Sequence, residues 1–94
     1  MIEISAKEYE RMLNWDDAMM YCQLLVIDGK NDWRLPTIVE LKEIYHSEND
    51  FSEHYYWSSS HGGGDTAWGQ EMSGGCQYYN YKYVSHYVRI VRSI

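Results

Sequence analysis

Ninety-four residues suffice for one domain with a single core, and a 45% hydrophobic fraction can fill it, so residues 1–94 read as one unit. Eight Lys and Arg against fourteen Asp and Glu leave a formal net charge of −6. The basic residues are scattered rather than clustered, so direct nucleic-acid binding is not expected, and no apolar run approaches the roughly 18 residues of a membrane span.

Ile2 to Ser5 alternate weakly and suggest an edge strand, and Ser5-Ala6-Lys7-Glu8 has the spacing of a capping box, which allows a short helical turn over residues 7–12. The first strong element opens at Asn14, a good N-cap, with Asp16 and Asp17 in the first turn, where the helix dipole favours negative charge. Trp15, Ala18, Met19, Cys22, Leu25 and Val26 then recur at helical spacing, and Asp28-Gly29 supplies a stop, which predicts a core helix over 15–27. Residues 31–36 read as an ordered turn. Thr37-Ile38-Val39-Glu40 is a second capping box, preceded by Pro36, and opens a helix with Ile38, Leu41, Ile44 and Tyr45 inward. Residues 46–53 read as a polar loop. The period then changes to two, and 55–59, 67–72, 77–81 and 87–92 read as four strands, the first three separated by glycine-rich hairpin connections. Helices first and antiparallel sheet second make the fold class α+β, two helices packed on a small sheet.

The aromatic content is weighted towards ten Tyr and four Trp against one Phe. Tyr and Trp join an apolar body to a polar tip, which suits a contact surface, and equally suits half-buried strand positions. His46, His54, His61 and His86 lack paired zinc spacing, no CxxC exists, and His61-Gly62-Gly63-Gly64 lacks the Lys-Ser/Thr of a phosphate loop. Neither a metal nor another cofactor is therefore expected. Ser58 and Ser59 have no suitably spaced His–Asp partners, and no catalytic residue is assigned. Met1-Ile2-Glu3-Ile4-Ser5 carries no basic n-region or apolar h-region, so a cytoplasmic location is expected, with reduced thiols; a virion or released form is compatible with the same reading.

Asn14-Trp15-Asp16-Asp17-Ala18, Tyr21-Cys22, Asp32-Trp33-Arg34-Leu35-Pro36-Thr37, Glu40-Leu41, Tyr56-Trp57-Ser58-Ser59, Ala67-Trp68 and Tyr87-Val88-Arg89-Ile90-Val91-Arg92 follow in one order. From Asn14 to Arg92 this pattern resembles the Lcl C-terminal domain family, the C-terminal domain of collagen-like bacterial adhesins. The resemblance implies a reduced C-type-lectin-like fold, akin to formylglycine-generating enzymes and to the variable proteins of diversity-generating retroelements. It also implies a Cys in the final Val-Arg-x-Val-Arg run, partnered with the helix Cys; here Ile90 occupies that position, so such a bridge cannot form. A Cys22–Cys76 bond is left open. The Glu-Pro-Asn or Gln-Pro-Asp calcium loop of C-type lectins is absent, because Pro36 is the only proline, and Cys22 and Cys76 do not reproduce a formylglycine-generating pair.

Arg34 beside Trp33 is expected to pin the fold, and Arg89 and Arg92 to pair with acidic residues of the helices. Trp15, Trp33, Trp57 and Trp68 are assigned to the frame. In lectin-like folds the loops over the C-terminal sheet commonly present the ligand face, and here those stretches hold His61, Asp65, Gln77, Tyr78, Tyr79, Asn80, Tyr81, Tyr83 and His86. Tyr, Ser, Asn, His and Gly together form the vocabulary of adaptable paratopes. The expected function is a non-catalytic binding module for a protein or a glycan, with a homo-oligomer compatible. The alternative is a small acidic inhibitor or adaptor, of phage or mobile-element type, that occupies a basic site on a partner protein.

Overall fold

The computed structural model describes residues 1–47 and 50–94. Its elements are β1 (Ile2–Ile4), a 3-10 turn (Lys7–Tyr9), β2 (Arg11–Leu13), α1 (Trp15–Leu24), α2 (Ile38–Ser47), β3 (Tyr55–Gly63), β4 (Thr66–Glu71), β5 (Gln77–Tyr81), β6 (His86–Val88) and β7 (Val91–Ser93). The class is α+β, as expected. Of the polar loop expected over 46–53, His46 and Ser47 belong to α2, and Glu48 and Asn49 lie outside the described residues.

Local chemistry sets both helix starts. The Asn14 side-chain oxygen accepts from the Asp17 N–H at 2.9 Å. Thr37 Oγ1 accepts from the Glu40 N–H at 3.1 Å, while Glu40 Oε1 accepts from the Thr37 N–H at 2.9 Å, a reciprocal capping box. The end of α1 differs from expectation. The helix stops at Leu24, not at residue 27, and Val26 is 61% exposed. Asp28 and Gly29 both adopt positive φ, 53° and 77°, and close a two-residue hairpin in which Ile27 and Lys30 exchange both backbone bonds at 3.0 Å. Asp-Gly fits this turn because it needs the left-handed region twice in succession. Ser5 likewise caps nothing: the 3-10 turn follows Ala6 with no side-chain cap, and Ser5 Oγ is buried without a partner among the described residues.

The main sheet has the order β2-β6-β3-β4-β5, and β1 pairs with β7 in a separate two-stranded sheet. Most pairings are antiparallel, but β3 and β6 meet in parallel at Tyr56 and Tyr87, so the larger sheet is mixed. The run expected as one strand over 87–92 breaks at Arg89 and Ile90. Its first half joins the main sheet, and its second half pairs with β1 and, through Val91, with Arg34. The break lets the buried Arg89 side chain reach its partners, while the Ile90 carbonyl accepts from the Ser5 N–H at 3.0 Å.

Alternation along β3 builds two cores. Tyr55 and Trp57 point to one face, with Trp15, Ala18 and Cys22 of α1, Trp33, Leu35, Val88 and Ile90. Tyr56 points to the other, with Leu41 and Ile44 of α2, Met72 and Val91. Gly69 is required where these layers meet, because a Cβ there would lie 2.5 Å from both the Tyr55 ring and the Tyr56 carbonyl oxygen.

Each arginine assigned to the frame has internal carboxylate partners. Arg34 holds Glu40 through two bonds of 2.7 and 2.9 Å and reaches Ser93 Oγ at 3.0 Å. Arg89, 3% exposed, meets Asp50 at 2.9 Å and Glu10 at 3.6 Å, and its guanidinium lies 4.7 Å from the Phe51 ring centre. Arg92 binds Asp32 at 2.7 and 3.1 Å and Glu3 at 3.0 Å. The partners of Arg89 and Arg92 thus come from strand and loop positions rather than from the helices, since the C-terminal run lies beside β1 and the connecting segments.

Candidate functional site

The candidate surface is organised by β5, the last strand of the main sheet. Glu71 N–H donates to the Cys76 carbonyl and Lys82 N–H to the Asp65 carbonyl, both at 2.8 Å. In an antiparallel ladder hydrogen-bonded pairs alternate, and the register couples Ala67 to Asn80 and Gly69 to Tyr78. Tyr78 and Asn80 therefore direct their backbone groups towards β4. Gln77, Tyr79 and Tyr81 direct theirs away, along the free edge.

Side chains alternate across the same strand. Tyr79 lies opposite Trp68 and meets its ring edge-on, with centroids 5.5 Å apart. Tyr81 falls on the same face opposite Thr66, and Tyr83 stacks on Tyr81 at 5.3 Å with 14° between the planes. Tyr79, Tyr81 and Tyr83 are 59%, 54% and 74% exposed. Trp68, expected in the core, is half-buried and forms the floor of this aromatic face. Gln77 shares the face, but its amide is already committed, donating to the Ile38 carbonyl at 2.9 Å and to Gln70 Oε1 at 2.6 Å.

The opposite face carries the other predicted residues. Tyr78 packs against Tyr55, whose hydroxyl donates to the Tyr78 carbonyl at 2.7 Å. Asn80 Oδ1 accepts from the Tyr81 N–H at 2.8 Å, which turns its amide nitrogen towards His86 Nε2 at 3.0 Å. His86 Nε2 must then be the acceptor, and the ring proton lies on Nδ1. Centroids of Tyr55 and Trp57 lie 4.2 and 4.9 Å from that of His86, and burial lowers its pKa, with the Glu71 carboxylate opposing the effect more weakly.

Further along this side, His61 tilts against Trp15 with centroids 5.1 Å apart, and Lys82 places its ammonium 4.4 Å from the Trp15 ring centre and 3.4 Å from His61 Nδ1. A cleft of about 260 Å³ opens beside them, lined by Asn14, Asp16, Asp65, Lys82 and Tyr83. Sequence reasoning singled out Asp65 and Tyr83 here but missed Lys82 and Asp16. They are joined by the bond from the Trp15 N–H to the Lys82 carbonyl at 2.9 Å, a contact between distant segments that no local pattern announces.

The predicted residues thus form two groups back to back: Gln77, Tyr79, Tyr81 and Tyr83 with Trp68, and Tyr78, Asn80, His86 and His61 with Trp15 and Lys82. Asp65 stands at the hairpin between them. Two larger cavities, about 360 and 350 Å³, lie around β1 and hold none of the residues predicted to bind ligand. Trp33, which lines the second, buries its Nε1 without an acceptor among the described residues.

Ser58 Oγ donates to the Trp68 carbonyl at 2.5 Å, so its hydroxyl is tied to the frame. Cys22 and Cys76 are both free, and burial pushes the Cys22 thiol up to about 12. Among the described residues no three His, Cys, Asp or Glu side chains converge as metal ligands would, and no helix is long and apolar enough to cross a membrane.

The model of the Lcl C-terminal domain family matches residues 4–92, nearly the whole chain, and the chain belongs to that family. No curated protein matches it.

Proposed function

We propose that this member of the Lcl C-terminal domain family is a non-catalytic binding module, and that its ligand face is the aromatic cluster of Trp68, Tyr79, Tyr81 and Tyr83. One observation carries the reading: the fate of the tyrosine hydroxyls. Tyr21, Tyr55 and Tyr56 donate to Tyr9, Tyr78 and Glu10 within the protein, each at 2.7 Å. The hydroxyls of Tyr79, Tyr81 and Tyr83, like those of Tyr9, Tyr45, Tyr78 and Tyr87, bond no protein group among the described residues, and of these seven only Tyr79, Tyr81 and Tyr83 have rings more than half exposed. Rigid aromatic bodies with free polar tips serve recognition well, because they give contact area while ordering few torsions. The ligand is a protein or a glycan, held by ring contact and hydroxyl hydrogen bonds. The lectin-like resemblance of the motifs agrees with such a use.

The test is binding of the immobilised chain to a glycan array and to proteins captured from a bacterial lysate, repeated with Tyr79→Ala, Tyr81→Ala and Tyr83→Ala. Each substitution should weaken the captured interaction by at least tenfold if its ring is an anchor. Unchanged binding in all three would remove this face from consideration.

A second reading, an acidic inhibitor seated on a basic site, is supported by the exposed Asp16 and Asp65 at the cleft and by the net charge of −6. It calls for steep loss of affinity with added salt and sensitivity to Asp16→Asn and Asp65→Asn rather than to the tyrosines.

A further inference from the structure

We infer that β5 is a two-fold pairing edge, through which a second copy of this chain continues the sheet. The backbone groups of Gln77, Tyr79 and Tyr81 point away from β4, as the ladder phase requires. Their spacing is self-complementary. With the two-fold axis at Tyr79, that residue faces its own counterpart and exchanges both backbone bonds with it. Gln77 then faces Tyr81 of the second copy on each side of the axis.

Side chains make a second copy a better occupant than a foreign strand of opposite charge. Gln77–Tyr81 contains no charged residue and no proline, and its register with β4 runs without a bulge. Edges are ordinarily guarded by Lys, Pro, a bulge or an inward charge, and β5 has none of these. On a chain of net charge −6, a charge-free strip is where two like copies meet at least repulsion. A basic partner strand would instead seek carboxylates within the edge, and none is there. Across the axis, Tyr79 meets Tyr79 on the aromatic face and Tyr78 meets Asn80 on the other, both favourable cross-strand neighbours. The pairing would place two aromatic faces on one continuous surface, whatever ligand that face takes.

One feature of the edge moderates the contact. Asn80 Oδ1 already occupies the Tyr81 N–H, and its amide nitrogen is anchored on His86. The Tyr81 carbonyl also accepts from the Val84 N–H at 3.1 Å, so both Tyr81 backbone groups are engaged within the chain and the Tyr79–Tyr79 exchange carries the shared ladder. Edge-to-edge pairing leaves the outer faces of Tyr79, Tyr81 and Tyr83 open, so each copy covers less than the roughly 450 Å² these rings and Tyr78 expose, given about 200 Å² for a whole Tyr, which places the interface at the small end of specific contacts. Association should therefore be weak, with half-dimerisation on the order of 100 µM.

The experiment is sedimentation equilibrium of the full chain from about 10 µM to 1 mM, with amide exchange read at both ends of that range. A monomer–dimer equilibrium is expected, with the Tyr79 amide gaining protection at high concentration. Tyr79→Lys or Tyr79→Glu alone should weaken association at least tenfold, because like charges then face each other across the axis. An equimolar mixture of the two should restore it. Asn80→Ala, which frees the Tyr81 donor, should strengthen association severalfold. A monomer at 1 mM, a trimer, a dimer indifferent to Tyr79→Lys, or a mixture that fails to recover would overturn the assignment. Should either charged variant fail to fold, amide protection in the unsubstituted chain and the direction of the Asn80→Ala change decide the matter.

Discussion

Glu40→Gln tests whether the Arg34–Glu40 pair supports the fold through its charge. Glu40 receives two guanidinium bonds at 2.7 and 2.9 Å and one from the Thr37 N–H. Chiefly because of Arg34, its carboxyl is held at about 2 rather than 4.5. At about 1.4 kcal/mol per unit, a displacement of that size corresponds to roughly 3 kcal/mol in a fully shielded site. The Arg34 side chain is 36% exposed and Glu40 21%, so water screens part of it, and about 2 kcal/mol is the expected contribution at pH 7. Glutamine keeps an oxygen for the Thr37 N–H, so the substitution isolates the loss of charge. A cost of about 2 kcal/mol should lower the melting temperature by roughly 8–16 °C in a domain this small. The pH dependence supplies the sign. The folded carboxyl titrates below the unfolded one, so its stabilisation is complete above 4.5 and is lost as pH falls towards 2. The gap between Glu40→Gln and the unsubstituted chain should narrow by more than half by pH 3. Urea unfolding followed by tryptophan fluorescence at pH 7, 4 and 3 measures it. An equal gap at pH 3 and pH 7, or a gap under about 0.5 kcal/mol at pH 7, would refute the reasoning.

Three further outcomes are expected. Gly69→Ala should cost about 3 kcal/mol in chemical denaturation, because one of the atoms its Cβ meets is the Tyr56 backbone oxygen, which cannot swing aside; Gly74→Ala, with nothing within 4 Å, should stay within about 0.5 kcal/mol. A thiol reagent such as DTNB should modify the exposed Cys76 in the folded chain and reach buried Cys22 only on unfolding; two thiols reacting at one rate would contradict the burial of Cys22. His86 resists protonation when folded, so the unfolded chain takes up its proton first, and stability should decline as pH falls below about 6.5 and through the lower folded value. An NMR titration of His86 with a midpoint above 6.5 would reverse that sign.

What was legible in the sequence was local. Thr37 and Glu40 announce α2 because both halves of the capping box lie within one turn, and Asn14 announces α1 in the same way. The end of α1 was not legible, because Asp28-Gly29 is at once a good helix stop and a good hairpin turn, and the pairing of Ile27 with Lys30 decides between them. The division of 87–92 into β6 and β7 depends on β2 and β1, more than seventy residues earlier in the chain, and no local signal separates the halves. The candidate surface was half legible. The lectin-like resemblance pointed to Tyr79, Tyr81 and Tyr83, with a Tyr-rich composition that suits a contact surface, but it left residues 77–86 as one surface. Period-two alternation, had it been followed through Gln77–Tyr81, would have separated Tyr78 and Asn80 from Tyr79 and Tyr81. The grouping of Trp15, His61 and Lys82 had no such signal, since it joins the start of α1 to the turn after β5.

The internal pairing of the arginines bears on which functional reading is stronger. Arg34, Arg89 and Arg92 spend their charge on Glu40, Asp50, Glu10, Asp32 and Glu3, so the frame arginines have no charge to spare for a ligand, and two of the six net negative charges sit among these pairs. None of Trp68, Tyr79, Tyr81 and Tyr83 is charged, and Asp16 and Asp65 meet Tyr83 at the cleft, which Lys82 also lines. Under the proposed reading a ligand at this face would be held by ring contact and hydroxyl hydrogen bonds, and its affinity should depend little on ionic strength. An inhibitor acting by charge would have to use the cleft rim or another side of the molecule. Salt dependence and tyrosine sensitivity are thus linked: a partner lost with Tyr81→Ala should survive added salt, and one lost in salt should ignore Tyr81.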